Sequence, residues 1–562
     1  MSNDTGDLVS RIYGGFRGVD FRGEEINIVR SPDSLNVWKD YKETDSIRTR
    51  PGMELQTSFD DTVYGIFFYN DMQIVHSGTK LYKVKDGAKS VLYTGVKAAV
   101  SNSFTFENKW YFKDGEHYLV YDGSGEPEEV VGYIPTTSIA RKPAGGGTTY
   151  EDVNMLQSKR INTFLADGGS LDFYLDATNI DDDFPPVVKV DDNIVPSGSY
   201  TVDYSAGKIS FTKAPDRPKT DGRDNVSIVF RKTIDTYRDT ILKCSLLQVF
   251  DNRVFFSGNE DYPNVVWHSS LNDPTYVSDL DYYREGLDTA KVRGLVAGNN
   301  ALWVFREPSQ ANTTVFYHTP TIDAEYGKIY PSTHSSITTG CVGKAINFND
   351  DIVFFSDRGM EGISGDVTTE QAVAHRSSLV DRKMIAEADY KDMVLEEWEG
   401  YLFIFIGDKA YLADSRTAFK NENHTEYEFF FWQLEKKVTC SQVCQGILYL
   451  GTEDGVYTMT DFDCDVESYW TTPKDKFGTP HKQKTTSKRG CVAEATGDVT
   501  VYAKVEDTDF ELIGEYKDVT DYFVSRIKRK KFKDIQLKFC SKTRFSLETV
   551  TLEAWIGGYI KR

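Results

Sequence analysis

One pattern recurs seven times along this chain: a polar turn, a short apolar strand, a second turn, then a strand rich in Tyr or Val. It reads YNDMQIVHSGTKLYKV at Tyr69–Val84 and FENKWYFKDGEHYLVYDG at Phe106–Gly123. After a long interruption come FDNRVFFSGNEDYPNVVWHSS (Phe250–Ser270), GNNALWVFREPSQANTTVFYH (Gly298–His318) and FNDDIVFFSDRGMEGIS (Phe348–Ser364). WEGYLFIFIGDKAYLAD (Trp398–Asp414) and CQGILYLGTEDGVYTM (Cys444–Met459) complete the set. From the third copy onward the starts lie about fifty residues apart, close to the ~40–50 residues of a four-stranded propeller blade. Each copy reads as the inner two strands of a blade, entered through an Asn-Asp, Asp-Asn or Gly-containing turn. The expectation is an all-β chain built on a β-propeller of about seven blades. Six or eight also fit, because outer strands leave weaker marks; the competing reading is a set of unrelated hairpins in two sandwiches. A ring of blades would protect the sheet edges that a large all-β protein must cover.

Two segments break the pattern. PAGGGTTYED (Pro143–Asp152) reads as a flexible lead-in to short alternating strands such as YTVDYSAGKISFTKAP, where apolar and polar residues take turns. That period of two, with turns every eight to twelve residues, predicts a small inserted β-sandwich at 145–232. After Asp461 the repeat stops. TTPKDKFGTPHKQKTTSKRG (Thr471–Gly490) reads as a basic linker, followed by a second β-sandwich to the C-terminus. The expected organisation is an extended arm at 1–55, propeller at 56–144 and 233–470, the insertion at 145–232, and a C-terminal sandwich at 471–562. Helix is expected to be scarce, with Ser377–Ala388 the best candidate, Leu379, Met384 and Ile385 lying on one face.

The formal charge of −21 argues against wrapping nucleic acid, which needs Lys and Arg to neutralise phosphate. It is compatible with a conduit along which nucleic acid slides. No apolar run reaches the ~18 residues of a membrane helix, and MSNDTGDLVSR lacks the apolar core of a secretory signal. Seven scattered cysteines suggest free thiols in a reducing cytoplasm rather than a disulfide framework.

Few motifs carry chemistry. Asp461, Asp463, Asp465 and Glu467 alternate along one strand face. They could ligate a hard cation, but without a wrapping glycine a solvated strand edge is the better reading. NIDDDF (Asn179–Phe184) is read the same way. Cys440 and Cys444 lack the second pair that a structural zinc site needs, so they read as core thiols. No Ser, His and Asp fall in a recognisable catalytic order, and neither Gly-rich stretch is followed by Lys-Ser or Lys-Thr. No cofactor or metal is expected. RIKRKKFKDIQLKF (Arg526–Phe539) concentrates cations: Arg526, Lys528, Arg529, Lys530, Lys531 and Lys533. It could contact phosphate, guard a strand edge with charge, or dock onto an acidic neighbour.

The N-terminal stretch is the most specific. GGFRGVD followed by SPDSLNVWKDYKETDSIRTRPG (Ser31–Gly52) resembles the start of the stabilization or tail nozzle proteins of tailed bacteriophages, where a Pro-Asp…Leu-Asn-Val segment and a terminal Arg-Pro-Gly precede a β-propeller. The resemblance continues through KCSLLQVFDNRVFFSGNEDYPNVVWHSSLNDPTYVSD (Lys243–Asp279), and YTVDYSAGKISFTKAP looks like a module of phage structural proteins. It implies a non-enzymatic virion protein forming a ring, six-fold, at the head–tail connection or short tail. There it would extend, seal or stabilise the channel through which DNA leaves, without reading sequence. The implied partners are portal, adaptor or tail proteins, further copies of the chain, and passing DNA.

On that reading the arm fastens one copy to the next. Gly14, Gly15, Gly18 and Gly23 would permit its path, and Ile12, Phe16, Phe21, Ile26, Ile28, Leu35 and Trp38 would anchor it, with Arg48 and Arg50 near its end. The alternative for residues 31–55 is the outermost strand closing the last blade. The competing functions are a surface adhesin or glycan-degrading propeller, which needs paired carboxylates across a pocket, and a cytoplasmic scaffold, which lacks the expected Gly-His/Trp-Asp signature.

Overall fold

A computed structural model describes every residue except 1–5, 24–25, 40–45, 86, 311–312, 325–326, 364–371, 422–423, 461–464, 529–530 and 560–562. The fold is all-β: a β-propeller with an inserted and a C-terminal β-domain. Seven four-stranded antiparallel meanders are its blades, at 63–94, 102–129, 246–284, 292–334, 345–375, 394–433 and 440–460. The last has only three strands of its own. Gly52–Ser58, from the N-terminal end of the chain, pairs with Gly455–Thr460 as its fourth. Of residues 31–55, the end therefore follows the strand-closing alternative.

Local backbone chemistry explains why the blades repeat. In all seven, the first two strands are joined by two residues that both have positive φ: Asn70-Asp71, Glu107-Asn108, Asp251-Asn252, Asn299-Asn300, Asn349-Asp350, Glu399-Gly400 and Gln445-Gly446. That is the requirement of a type I′ turn, which Asn, Asp and Gly meet at least strain. The recurring stretches are the second and third strands, flanked on both sides within each sheet; the second strands are almost wholly buried and the third ones less so, Lys80–Lys85 having both ends exposed. Tyr401–Ile406 and Ala301–Arg306 are buried at every position.

The chain divides into two compact units, Met1–Val91 with Ser335–Arg562, and Leu92–His334. In the second, the insertion has its own core of Phe164, Phe173, Val188, Ile209, Ile228 and Phe230, between a six-stranded and a three-stranded sheet. It begins earlier than expected: Thr136–Arg141 already pairs with Lys159–Phe164. The expected lead-in instead runs back to the third blade. There Asn154, 1% exposed, donates to the carbonyls of Tyr133 and Thr275 and accepts from the amides of Leu156 and Val277.

In the first unit the second half of the expected linker is a strand. Lys482–Val505 runs for 24 residues through the C-terminal sheet. Gly490, which reads as punctuation, sits at φ +69, where a Cβ would lie 2.5 Å from the Ser525 carbonyl. It marks a register shift inside a continuous strand rather than its end. Buried Lys484 gives its ammonium to the Lys533 carbonyl at 2.9 Å. The expected helix is also shorter, Asp381–Met384 only, though Leu379 and Met384 are buried as its stripe predicts.

Candidate functional site

The arm is the segment with the sharpest sequence signature, and it is woven into its own chain. Asp7–Gly14 pairs antiparallel with Phe545–Tyr559, Ser34–Leu35 with Ser468–Thr471, and Ile47–Thr49 with both Val37–Lys39 and the last strand. Between the pairings it crosses the sixth blade, where the Val19 amide donates to the Phe429 carbonyl at 2.7 Å. Gly18 makes that approach possible, because a Cβ there would meet the same carbonyl oxygen at 1.9 Å.

Three side chains lock the crossing. Asn36 holds φ +55. Its Oδ1 accepts from the Gln433 amide and Arg50 Nε, and its Nδ2 donates to the Glu467 carbonyl. Arg50, 2% exposed, donates further to the carbonyls of Pro51 and Gln433 and to Glu435. Arg30 forms a bidentate pair, both bonds 2.8 Å, with buried Glu428. Burial pushes that carboxyl upward in pKa, and Arg30 is the main group pulling it back. Trp38 stacks on Trp398 at 5.8 Å and meets Trp432 edge-on at 5.4 Å.

This placement corrects the expectation that the arm gains its burial on a neighbour. Phe16, Trp38, Arg48 and Arg50 are buried within this chain, and Phe21 and Leu35 are half-buried against the fifth- and sixth-blade core. They are core and joint residues and are not available as a free docking surface. The basic stretch behaves differently. Arg526, Lys528, Lys531 and Lys533 are exposed while Ile527 and Phe532 between them are buried; Arg529 and Lys530 lie outside the described residues. In the acidic ladder, Asp461 and Asp463 also lie outside them, and Asp465 and Glu467 are exposed. Among the described residues no cluster of His, Cys, Asp and Glu is arranged to hold a metal ion. Burial pushes the thiol of Cys440 up to about 12 and also raises that of Cys444.

One cavity, of about 600 Å³, gathers polar side chains that sequence reasoning did not single out: Arg358, Glu361, His375, Ser378 and Asp381. His375 lies across the fifth blade from Glu361 in register. Its Nε2 is 2.6 Å from Asp381 and its Nδ1 3.3 Å from Glu361. The two carboxylates outweigh burial and lift the imidazole to about 10. Asp381 is itself raised by burial, which the imidazolium and Ser377 only partly offset. An imidazolium with both nitrogens engaged has no lone pair for general-base work. The arrangement is a clamp joining two strands of the blade to the helix at Asp381. No sequence signal marks it beyond a His within reach of acids.

No known family model matches this chain, and no curated protein sequence matches it. Among solved structures it is similar to BamB from Moraxella catarrhalis, at 10% identity over 75% of this chain and 92% of that one, with a TM-score of 0.33. PorZ of the type-IX secretion system of Porphyromonas gingivalis matches at 10% identity over 92% and 87%, TM-score 0.25. Hsv2 from Kluyveromyces lactis matches at 9% over 67% and 98%, TM-score 0.26. Likenesses this distant carry nothing about activity; the fold rests on the sheets described above.

Proposed function

We propose that this chain is a structural protein of a tailed-phage particle, a ring-forming component at the head–tail connection or tail that extends, seals or stabilises the DNA channel. What carries the reading is where the resemblance falls. The Leu-Asn-Val and Arg-Pro-Gly of the N-terminal stretch supply Asn36 and Arg50, which join arm, sixth blade and C-terminal sheet. In the second stretch, Asn259 and Asn264 are buried and donate to the carbonyls of Thr240 and Glu285. Residues held for such joints travel with an architecture rather than with a substrate, so the likeness supports a shared structural role. The net charge of −21 suits a wall that phosphate does not stick to.

The test is a small epitope placed in the exposed turn at Asp191-Asp192, followed by electron microscopy of purified, labelled particles. Label confined to the head–tail junction or tail is expected. Absence of the chain from particles, or label scattered over the head, overturns the proposal. Release of reducing ends from host polysaccharide by the purified protein would favour the glycan-degrading alternative.

A further inference from the structure

The C-terminal sheet has two faces of opposite character. On one, Tyr13, Cys491, Ala493, Phe523, Val550 and Leu552 are buried in the core shared with the sixth blade. On the other, the alternate positions of the same strands are exposed (Leu8, Ser10, Ile12, Tyr522, Val524, Trp555) or half-buried (Val492, Glu494, Thr551, Glu553). Ile12 lies opposite Thr551, Thr551 opposite Val492, and Val492 opposite Val524. Two rows away, beyond Ser10 opposite Glu553, Leu8 lies opposite Trp555, and on the far side Tyr522 lies opposite Glu494. Ile12 is 64% exposed, Tyr522 62%, Leu8 48%, Val524 47% and Trp555 43%. Four strands at sheet spacing and six residues along them make this face roughly 14 by 20 Å, or about 300 Å². Ile12, Val524 and Tyr522, with Leu8 and Trp555 beyond the Ser10–Glu553 row, expose large apolar side chains on a sheet already filled on its other side, and that marks the face as a docking surface.

Cations border it. Lys531 stands opposite Thr485 in the row of Leu8 and Trp555, and Arg526 and Lys528 follow directly after the strand that carries Tyr522 and Val524. None of the three has an ion-pair partner among the described residues. An apolar centre with a charged border is the anatomy of a protein interface. The charge also says what would cover it. Residues 471–562 hold 19 Lys and Arg against 13 Asp and Glu, a net of +6. The whole chain, at 65 against 86, is −21, so the first 470 residues are at −27. A basic, apolar-centred face thus belongs to a chain whose remainder is strongly acidic. Phosphate would meet the cations but leave Leu8, Ile12 and Val524 in water, so nucleic acid fits less well than protein.

We propose that this face docks onto a second copy of the chain, against an acidic surface of that copy's first 470 residues. The inference deepens the assembly reading by naming the surface through which copies meet. Its test is sedimentation of the full-length protein over a concentration series at low salt, up to ~100 μM, a range in which an interface of ordinary size is populated. Self-association is expected, weakening at least tenfold in Val524→Glu and in the double variant Lys528→Glu/Lys531→Glu, and falling with added salt. The lysine variant touches no core residue, so it keeps the test valid if Val524→Glu fails to fold. A wild-type chain that stays monomeric, or associates equally well in all variants, overturns the proposal. So does a chain that binds duplex oligonucleotide through Lys528 and Lys531 without self-associating. Failure here leaves the particle-labelling result untouched, and absence from particles would leave this association intact, so the two ideas fail separately.

Discussion

At the scale of single residues, the strongest determinants are polar side chains that bond across hundreds of positions. Asn36 combines two demands, a left-handed backbone and three hydrogen bonds to groups that are otherwise enclosed. Asn36→Ala should therefore destabilise the fold by about 2–4 kcal/mol, summing backbone strain and unpaired groups. Asn36→Gly keeps the backbone and loses only the bonds, so urea unfolding should place it between the two. If alanine and glycine cost the same, the backbone argument is wrong. His375 predicts a pH dependence. Its folded-state pKa is raised from 6.5 to about 10, so its stabilisation is fully present below 6.5 and is lost as pH rises through about 10. Wild-type unfolding free energy should fall between neutral pH and pH 10 by more than that of His375→Gln, which should be the less stable protein at pH 7. Parallel profiles would remove the charged clamp. The arm's Leu-Asn-Val and Arg-Pro-Gly mark Asn36 and Arg50 in the sequence but not their partners, because Gln433, Glu435 and Glu467 come within reach of the arm only after the sheets form; nothing in the sequence marks the clamp at His375.

At the scale of elements, what was legible followed local chemistry. The turns are legible because Asn, Asp and Gly tolerate positive φ, and each blade has at least one of them in the pair between its first and second strands; Glu107, Glu399 and Gln445 take the first place in three. The insertion was legible as alternation, yet its start was placed nine residues late. Thr136–Arg141 is polar and pairs parallel to a strand eighteen residues further on, a long-range partnership that no local pattern reports. The linker reading failed for a related reason. Lys, Thr and Ser are poor strand signals by themselves, and only pairing with Phe545–Tyr559 along most of its length makes Lys482–Val505 a strand. The joint at Asn154 belongs to this scale, since one side chain serves both the end of the insertion's first loop and the third blade. Asn154→Ala removes two donations and two acceptances at a buried position. It should lower stability by about 2–4 kcal/mol and open the 143–158 segment to protease before the rest of the second unit. Unchanged digestion there would mean the segment is held by Met155 and Leu156 alone.

For the molecule as a whole, the arm decides between two pictures of how the chain is built. A fastener that reaches for a neighbour could be removed without harm to its own domain. The arm seen here supplies strands to the C-terminal sheet and side chains to the core beneath it: Tyr13, Phe16, Val37, Trp38 and Ile47 share one cluster with Trp432, Trp470 and Leu547. Large-to-small changes at single buried aromatics already cost about 3–5 kcal/mol, which is comparable with the net stability of a domain. A chain lacking residues 1–50 should therefore lose the C-terminal sheet outright. Gly52–Ser58 would remain to complete the seventh blade, so the blades need not follow. Limited proteolysis with mass analysis should find cleavage within 471–562 first, under conditions where the full-length protein resists. Near-ultraviolet circular dichroism should lose the signal of the packed tryptophans Trp38, Trp398, Trp432 and Trp470. A truncated chain that kept a protected C-terminal region, and failed only to associate, would return the arm to the role of a tie between copies. It would also leave the burial of Trp38 without a structural consequence. Because the exposed face of that sheet also carries the proposed contact with a second copy, loss of the arm should abolish self-association as well, by unfolding the surface rather than by removing a tether. Lys528→Glu/Lys531→Glu separates these causes: it should weaken association at least tenfold while leaving the proteolytic pattern of the intact chain.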